Sequence, residues 1–265
     1  MSTTLGPLET QLLAYTQGRN RQSVTSGEFV DAFGWTSAQE RRVLSRLARK
    51  GLIARVRPGL YLVPPRLPPG GRWSPGESLA LVTLLGDRSG RYQISGPNTF
   101  YRYGWTDQVP NRLYVYNDQI SGDRQIGVVA LTLIKVSDDR LGGVETVRTP
   151  EGIDICYACK ARALVDAVYD WSRFDTLPKA FDWIRREVDK DDSFATEFIR
   201  MTMEYGNQGT VRRIGALLER IGVQEALLRR LEAKLHPSSS FIPWIPNRDK
   251  RGKTNRRWGV VFNDE

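Results

Sequence analysis

One stretch, Pro64-Pro-Arg-Leu-Pro-Pro-Gly-Gly71, restricts the fold of this chain more than any other. Its four prolines lack backbone donors and clash with any preceding helical turn, so neither a helix nor a central strand runs through it. Prolines at this density make a stiff, extended spacer. We therefore expect two units, residues 1–66 and residues 67–265, and the 265-residue length has room for both. A fragment starting near Gly70 is expected to fold, because its apolar patterning is complete without the first unit.

Before the spacer the periodicity is helical three times. Leu8, Leu12, Leu13 and Tyr15 mark a first helix over Leu5–Tyr15. Thr25 or Ser26 precedes a second, from about Gly27 to Phe33, which Gly34 stops. The third starts at Ser37, where Ser37-Ala-Gln-Glu40 has the spacing of a capping box, and Gly51 ends it. On a helical wheel Val43, Leu44 and Leu47 share one side. Ala38, Arg42, Ser45, Arg46 and Arg49 share the other, flanked by Gln39 and Arg41. Arginine matches guanine O6 and N7, glutamine matches adenine, and serine or arginine holds phosphate. Two β-prone runs follow, Leu52–Val56 and Leu60–Val63. Arg57-Pro58-Gly59 joins them and suits a type II turn. Three helices with a basic hairpin describe a winged helix-turn-helix, whose third helix fits the major groove and whose wing tip reaches the neighbouring phosphate backbone or minor groove. Winged helices also dock proteins; the arginine-rich face favours DNA. The expected contacts are Ser37, Gln39, Arg41, Arg42, Ser45, Arg46, Arg49, Arg55 and Arg57.

Beyond the spacer, Ser74-Pro-Gly-Glu77 opens a helix carrying Leu79 to Leu85. Strands are expected over Tyr92–Ser95, Arg112–Tyr116, Ile126–Val136, Glu145–Thr149 and Ile153–Tyr157, with an aromatic-rich short helix after Gly96. Helices are expected near 160–172, 178–189, 193–205, 209–221 and 224–236. A last strand, Trp258–Phe262, is expected to return to the sheet. The body is α+β, a mixed sheet followed by a helical subdomain.

Charge divides the chain in the same way. The net charge is +9, and residues 1–70 hold ten Lys/Arg against four acids. Residues 245–258 hold six against one, and the long middle is neutral. Arg248, Lys250, Arg251, Lys253, Arg256 and Arg257 thus form a second basic cluster, for a nucleic acid, an acidic partner or plain solvation. A basic balance points to anionic partners. No apolar run approaches the roughly 20 residues of a membrane span. The start, MSTTLGPLETQLLAY, has neither the basic nor the apolar region of a signal peptide. We expect a cytoplasmic protein.

Residues for catalysis are sparse. The single histidine, His236, falls at an expected helix C-terminus, where it complements the dipole. Cys156-Tyr-Ala-Cys159 has no second ligand pair for zinc, so we expect two small buried side chains at a strand-to-helix junction. Asp189-Lys-Asp-Asp192 reads as a solvated turn rather than a Mg²⁺ site. Gly206-Asn-Gln-Gly209 lacks the lysine of a phosphate loop. No enzyme, metal or cofactor is expected.

Several segments carry a resemblance. They are Tyr92-Gln-Ile-Ser-Gly-Pro-Asn-Thr99, Gly104-Trp-Thr-Asp-Gln-Val-Pro-Asn-Arg-Leu-Tyr-Val115 and Ala158-Cys-Lys-Ala-Arg-Ala-Leu-Val-Asp166. Val211-Arg-Arg-Ile-Gly-Ala-Leu-Leu-Glu-Arg-Ile-Gly222 and Asn255-Arg-Arg-Trp-Gly-Val-Val-Phe-Asn263 follow in order. With Leu47-Ala-Arg-Lys-Gly-Leu-Ile53 and Pro58-Gly-Leu-Tyr61, they resemble the AbiEi family, antitoxins of type IV bacterial toxin–antitoxin and phage-abortive systems. The resemblance implies a repressor of its own operon that binds inverted repeats through the third-helix face and wing tip. It also implies a C-terminal domain that counteracts a nucleotidyltransferase-type toxin, directly or indirectly. Thr99-Phe100 departs from the small-residue-then-Leu pattern of the family, and the cysteines stand where it has small residues. The competing reading is a nuclease or other nucleic-acid-processing enzyme that uses the winged helix only for docking.

Overall fold

The computed structural model describes residues 5–68, 71–191 and 193–264. Residues 1–4 of the N-terminal segment, Pro69 and Gly70 of the spacer, and Asp192 of the acidic run lie outside the described residues.

Helix α1 (Pro7–Gly18) begins with a proline in its first turn, and Glu9 reaches back to the Gly6 N–H at 3.0 Å. A short strand, β1 (Ser23–Thr25), comes next, where the sequence suggested only a cap. Helices α2 (Glu28–Phe33) and α3 (Ser37–Arg49) meet across Gly34, which is left-handed. Gly51 (φ +70°) closes α3: its N–H bonds to Ala48 O, and the Leu52 N–H bonds to Leu47 O, both at 3.0 Å. That is a Schellman ending, and Leu47 and Leu52 are both buried in one core. Strands β2 (Ala54–Arg57) and β3 (Leu60–Leu62) form the hairpin, with Gly59 at φ +81° in its turn. β3 lies between β1 and β2 in an antiparallel sheet.

The body opens with α4 (Glu77–Gly86), β4 (Tyr92–Ile94), α5 (Pro97–Arg102) and β5 (Leu113–Asn117). Strands β6 (Gly122–Ile126), β7 (Val129–Lys135), β8 (Val144–Arg148) and β9 (Asp154–Ala158) complete a sheet ordered β6-β7-β5-β4-β9-β8. It is mixed: β5/β7 and β4/β9 run parallel, the other pairs antiparallel. Helices α6 (Lys160–Tyr169), α7 (Trp171–Phe174), α8 (Lys179–Lys190), α9 (Phe194–Tyr205), α10 (Gln208–Arg220) and α11 (Glu225–Glu232) follow. The α+β class and the helical subdomain are as expected. The run expected as one strand over Ile126–Val136 is instead the second half of a hairpin. β6 escaped notice because four of its five residues are exposed and polar or glycine.

The C-terminal strand is a second correction. It does not return to the large sheet. β12 (Val260–Phe262) pairs with β10 (Ile242–Pro243) and β11 (Lys253–Asn255) in a separate small sheet. This sheet rests on α10, where a Cβ at Gly215 would overlap the fully buried Trp258 ring. Glycine at that one position seats the tryptophan.

Buried charge joins the large sheet to the helices. Asp166 on α6, without solvent exposure, accepts from Ser95 Oγ (2.8 Å), Arg162 Nε (3.0 Å) and Arg140 Nη2 (3.0 Å). Arg162 also donates from Nη1 to Gly142 O and from Nη2 to Arg140 O, at 3.0 and 2.8 Å. A buried ion pair is tolerated when its polar atoms find partners, and here each guanidinium nitrogen of Arg162 and both carboxylate oxygens of Asp166 have one.

The spacer does not separate two cores. β3 is buried on both faces. Tyr61 and Val63 face the α1–α3 core, while Leu60 and Leu62 join Ala54 and Val56 of β2 against Leu81, Leu84 and Leu85 of α4. The same cluster continues into Val115, Leu131 and Leu133 of the large sheet. A fully buried Val or Leu contributes about 1.5–3 kcal/mol, so this junction outweighs any surface contact. The apolar patterning of the body is therefore not complete without the first unit: removing residues 1–66 uncovers part of the body's own core. Residues 71–265 should melt at lower temperature than the full chain and bind a hydrophobic dye such as ANS. Equal melting temperatures with no dye binding would show that the junction contributes nothing.

Candidate nucleic-acid interface

Helix α3 owes its start to Thr36, one residue before the capping box expected at Ser37. Thr36 Oγ1 accepts from the Gln39 N–H (3.2 Å), and Gln39 Oε1 accepts from the Thr36 N–H (2.8 Å). The Gln39 oxygen is thus committed to the helix end. Ser37 is exposed in the first turn, and its carbonyl accepts from Arg41 Nε at 3.2 Å.

Glu40, freed from that expected capping role, does other work. It is 1% exposed, and its two oxygens accept from the Gly27 N–H (2.7 Å) and the Phe29 N–H (2.9 Å). Those are orphan donors at the start of α2, which has no side-chain cap of its own. A carboxylate at a helix N-terminus also complements the dipole. Glu40 therefore caps α2 from α3 and fixes one helix against the other. The signal was in the sequence: Glu40 shares the i, i+3, i+4, i+7 seam of Val43, Leu44 and Leu47.

The opposite face of α3 is exposed at Arg41, Arg42, Ser45, Arg46 and Arg49. Among the described residues, no carboxylate pairs with Arg41, Arg42 or Arg49. Arg46 leans back to Glu9 (Nε–Oε1 3.5 Å), and Lys50 binds the same carboxylate at 2.7 Å. Burial alone would push the Glu9 carboxyl up. The hydrogen bonds from Lys50 and Gly6, with the charges of Lys50 and Arg46, more than offset that and hold it below the usual range.

The two wing arginines part company. Arg55 is exposed and unpaired among the described residues. Arg57 is not the free wing-tip cation expected: its guanidinium forks onto Asp87 beside α4, at 2.6 and 2.7 Å. That hydrogen bond holds the Asp87 carboxyl below its usual range.

The second basic cluster divides similarly. Arg257 is withdrawn from partner contact, because Glu219 (3.1 Å), Glu225 (2.9 Å) and Glu232 (2.8 Å) all bind it. Arg248, Lys250, Arg251, Lys253 and Arg256 are exposed. Lys250 Nζ donates to the Phe241 carbonyl (3.2 Å), and Arg251 sits 3.9 Å from an exposed Asp249.

The other sequence candidates have structural roles. His236 is exposed beyond the end of α11, not in its last turn, and its N–H bonds to Gln208 Oε1 at 3.0 Å. Cys156 and Cys159 are free thiols, half-buried rather than buried, and burial pushes the Cys159 thiol up. Asp191 accepts from Ser193 at the start of α9, by backbone N–H and by hydroxyl. Asn207 caps α10 by accepting from the Thr210 N–H at 2.8 Å. Among the described residues no three His, Cys, Asp or Glu side chains gather as a metal site, and no helix is long and apolar enough to cross a membrane.

Residues 12–64, which run from within α1 to just past β3, match the model of a family described as "Transcriptional regulator, AbiEi antitoxin". The resemblance read from the sequence is borne out over that segment, and the family is a regulatory one. The fold as a whole is similar to the crystal structure of the RV2827C protein from Mycobacterium tuberculosis. The TM-score is 0.61 at 15% identity, over 98% of this chain and 92% of that one. No curated protein matches the chain in sequence.

Glu40→Ala leaves two helix donors without a partner, one of them the buried Phe29 N–H. Hydrogen bonds to charged groups contribute about 1.5–3 kcal/mol, so the denaturant midpoint should fall by the equivalent of at least that much. Glu40→Gln, which keeps an acceptor, should fall less. Equal, negligible shifts in both variants would remove Glu40 from the α2–α3 joint.

Proposed function

We propose that this chain is the antitoxin of a type IV toxin–antitoxin system and represses its own operon. The observation that carries the reading is the exposed face of α3, where Arg41, Arg42 and Arg49 pair with no carboxylate among the described residues, on a winged helix of AbiEi type. Arg42 and Arg49, with Arg41 and Ser45, meet operator DNA, and Arg55 follows on the hairpin. Arginine bridges guanine O6 and N7 in the major groove, and the remaining donors hold phosphates. The operator carries inverted repeats. The body, residues 67–265, counteracts a nucleotidyltransferase-type toxin, and the protein acts without catalysis of its own. The division at residue 66 is then one of labour rather than of cores. Family type, arginine face and surplus positive charge support this reading together.

Arg42→Ala should weaken binding to the DNA upstream of the gene by about 1–3 kcal/mol if that arginine is bidentate to guanine, with stability unchanged. Unshifted mobility in both Arg42→Ala and Arg49→Ala would take α3 out of the interface.

The exposed basic loop on the body belongs to the second task. Replacing Lys250, Arg251 and Lys253 with Gln should cost more protection against the toxin than repression. The log–log salt slope of DNA binding should change little, since each lost phosphate contact flattens it by about 0.9. A slope flatter by about two would assign this loop to DNA instead.

A further inference from the structure

A cleft of about 670 Å³ lies where α3, the hairpin, the spacer and the β6–β7 turn meet. Among the described residues, four cations line it, Arg49, Lys50, Arg55 and Arg72, and no carboxylate does. Lys50 is engaged by Glu9 from outside the cleft. Among the described residues, Arg49, Arg55 and Arg72 pair with no carboxylate. Like charges collected in a concavity repel one another and focus a positive potential, which an external polyanion relieves.

Arg72 directly follows the spacer, yet it is not on a loose tether. Trp73 N–H donates to Gly51 O at 2.7 Å, fastening the spacer to the end of α3. On the other side Val128 N–H donates to Ser74 Oγ at 2.9 Å, fastening it to the β6–β7 turn. A Cβ at Gly127 would overlap Ser74 Oγ, and one at Gly51 would touch the Arg72 stem at 3.7 Å. Glycine at 127 is what lets this segment lie close, since the contact at Gly51 would be an ordinary one. Arg72 is therefore held at a set place between the reading head and the body, and Arg49 belongs both to this cleft and to the exposed face of α3. The cleft is continuous with that face.

We propose that the cleft is a phosphodiester site, which holds the DNA backbone where it leaves the groove read by α3. Arg72 is its contact from outside the winged helix. The proposal rests on the reading of α3 as the DNA-binding helix. A phosphate contact carries no sequence information, so it adds grip rather than selectivity.

The test uses the full chain and a duplex from the DNA upstream of its own gene, titrated by fluorescence anisotropy over a series of salt concentrations. Arg72→Gln should flatten the log–log slope by about 0.9, equally for this duplex and an unrelated one, and Arg72→Lys should restore it. Neutral methylphosphonate linkages flanking the recognised sequence should weaken the wild type more than Arg72→Gln. A wild-type slope in Arg72→Gln overturns the cleft assignment. If Arg42→Ala then still weakens binding to the upstream duplex, the α3 reading stands alone; if Arg42→Ala is also silent, that reading has failed first. Calorimetric binding of inorganic triphosphate that Arg72→Gln abolishes, with DNA binding untouched, would overturn the proposal in favour of a small phosphorylated ligand.

Discussion

A four-residue strand paired with a three-residue one is too small to hold its shape in water, and everything above depends on how this hairpin is covered. It is covered twice. The α1–α3 core takes one face, and α4 with the large sheet takes the other. The hairpin is thus shared property, and neither neighbour is complete without it. The Arg57–Asp87 fork closes the same seam at its solvent edge.

This seam was legible in the sequence, in a pattern easy to misread. A wing with one wet face alternates apolar and polar residues, whereas Leu60-Tyr-Leu-Val63 is unbroken. An uninterrupted apolar run in a strand means burial on both sides. The proline-rich spacer argued the other way, for independence. Prolines report the conformation of the segment they occupy, not the packing of the elements it joins.

Helices were read well because amphipathic periods of ten or more residues are redundant signals; α8 to α10 lie within a residue or so of expectation. Short edge strands carry little of that redundancy, which is why β1 and β6 were missed. Buried charge is the least legible of all. Glu40, Arg162 and Asp166 look like surface residues by type, and only their positions on otherwise apolar seams betray them. The arginine face of α3 was visible because its residues do what their chemistry prefers, and lie exposed. Which cations are spent inside the molecule was not visible. Arg57 and Arg257 meet carboxylates 30 or more residues away in sequence, Asp87 for the first and Glu219 and Glu225 for the second, and no local pattern encodes such pairs.

A head that shares its core with the body has no swivel. On a double helix that turns position into direction. With about 10–10.5 base pairs per turn, a step of one base pair swings the whole body by roughly 35° around the axis. About five base pairs carry it to the far side of the duplex. Two bound copies would meet or miss each other according to the phase of their sites, not merely the distance between them. The seam between β3 and α4 thus sets an angular rule for any assembly this protein forms on DNA.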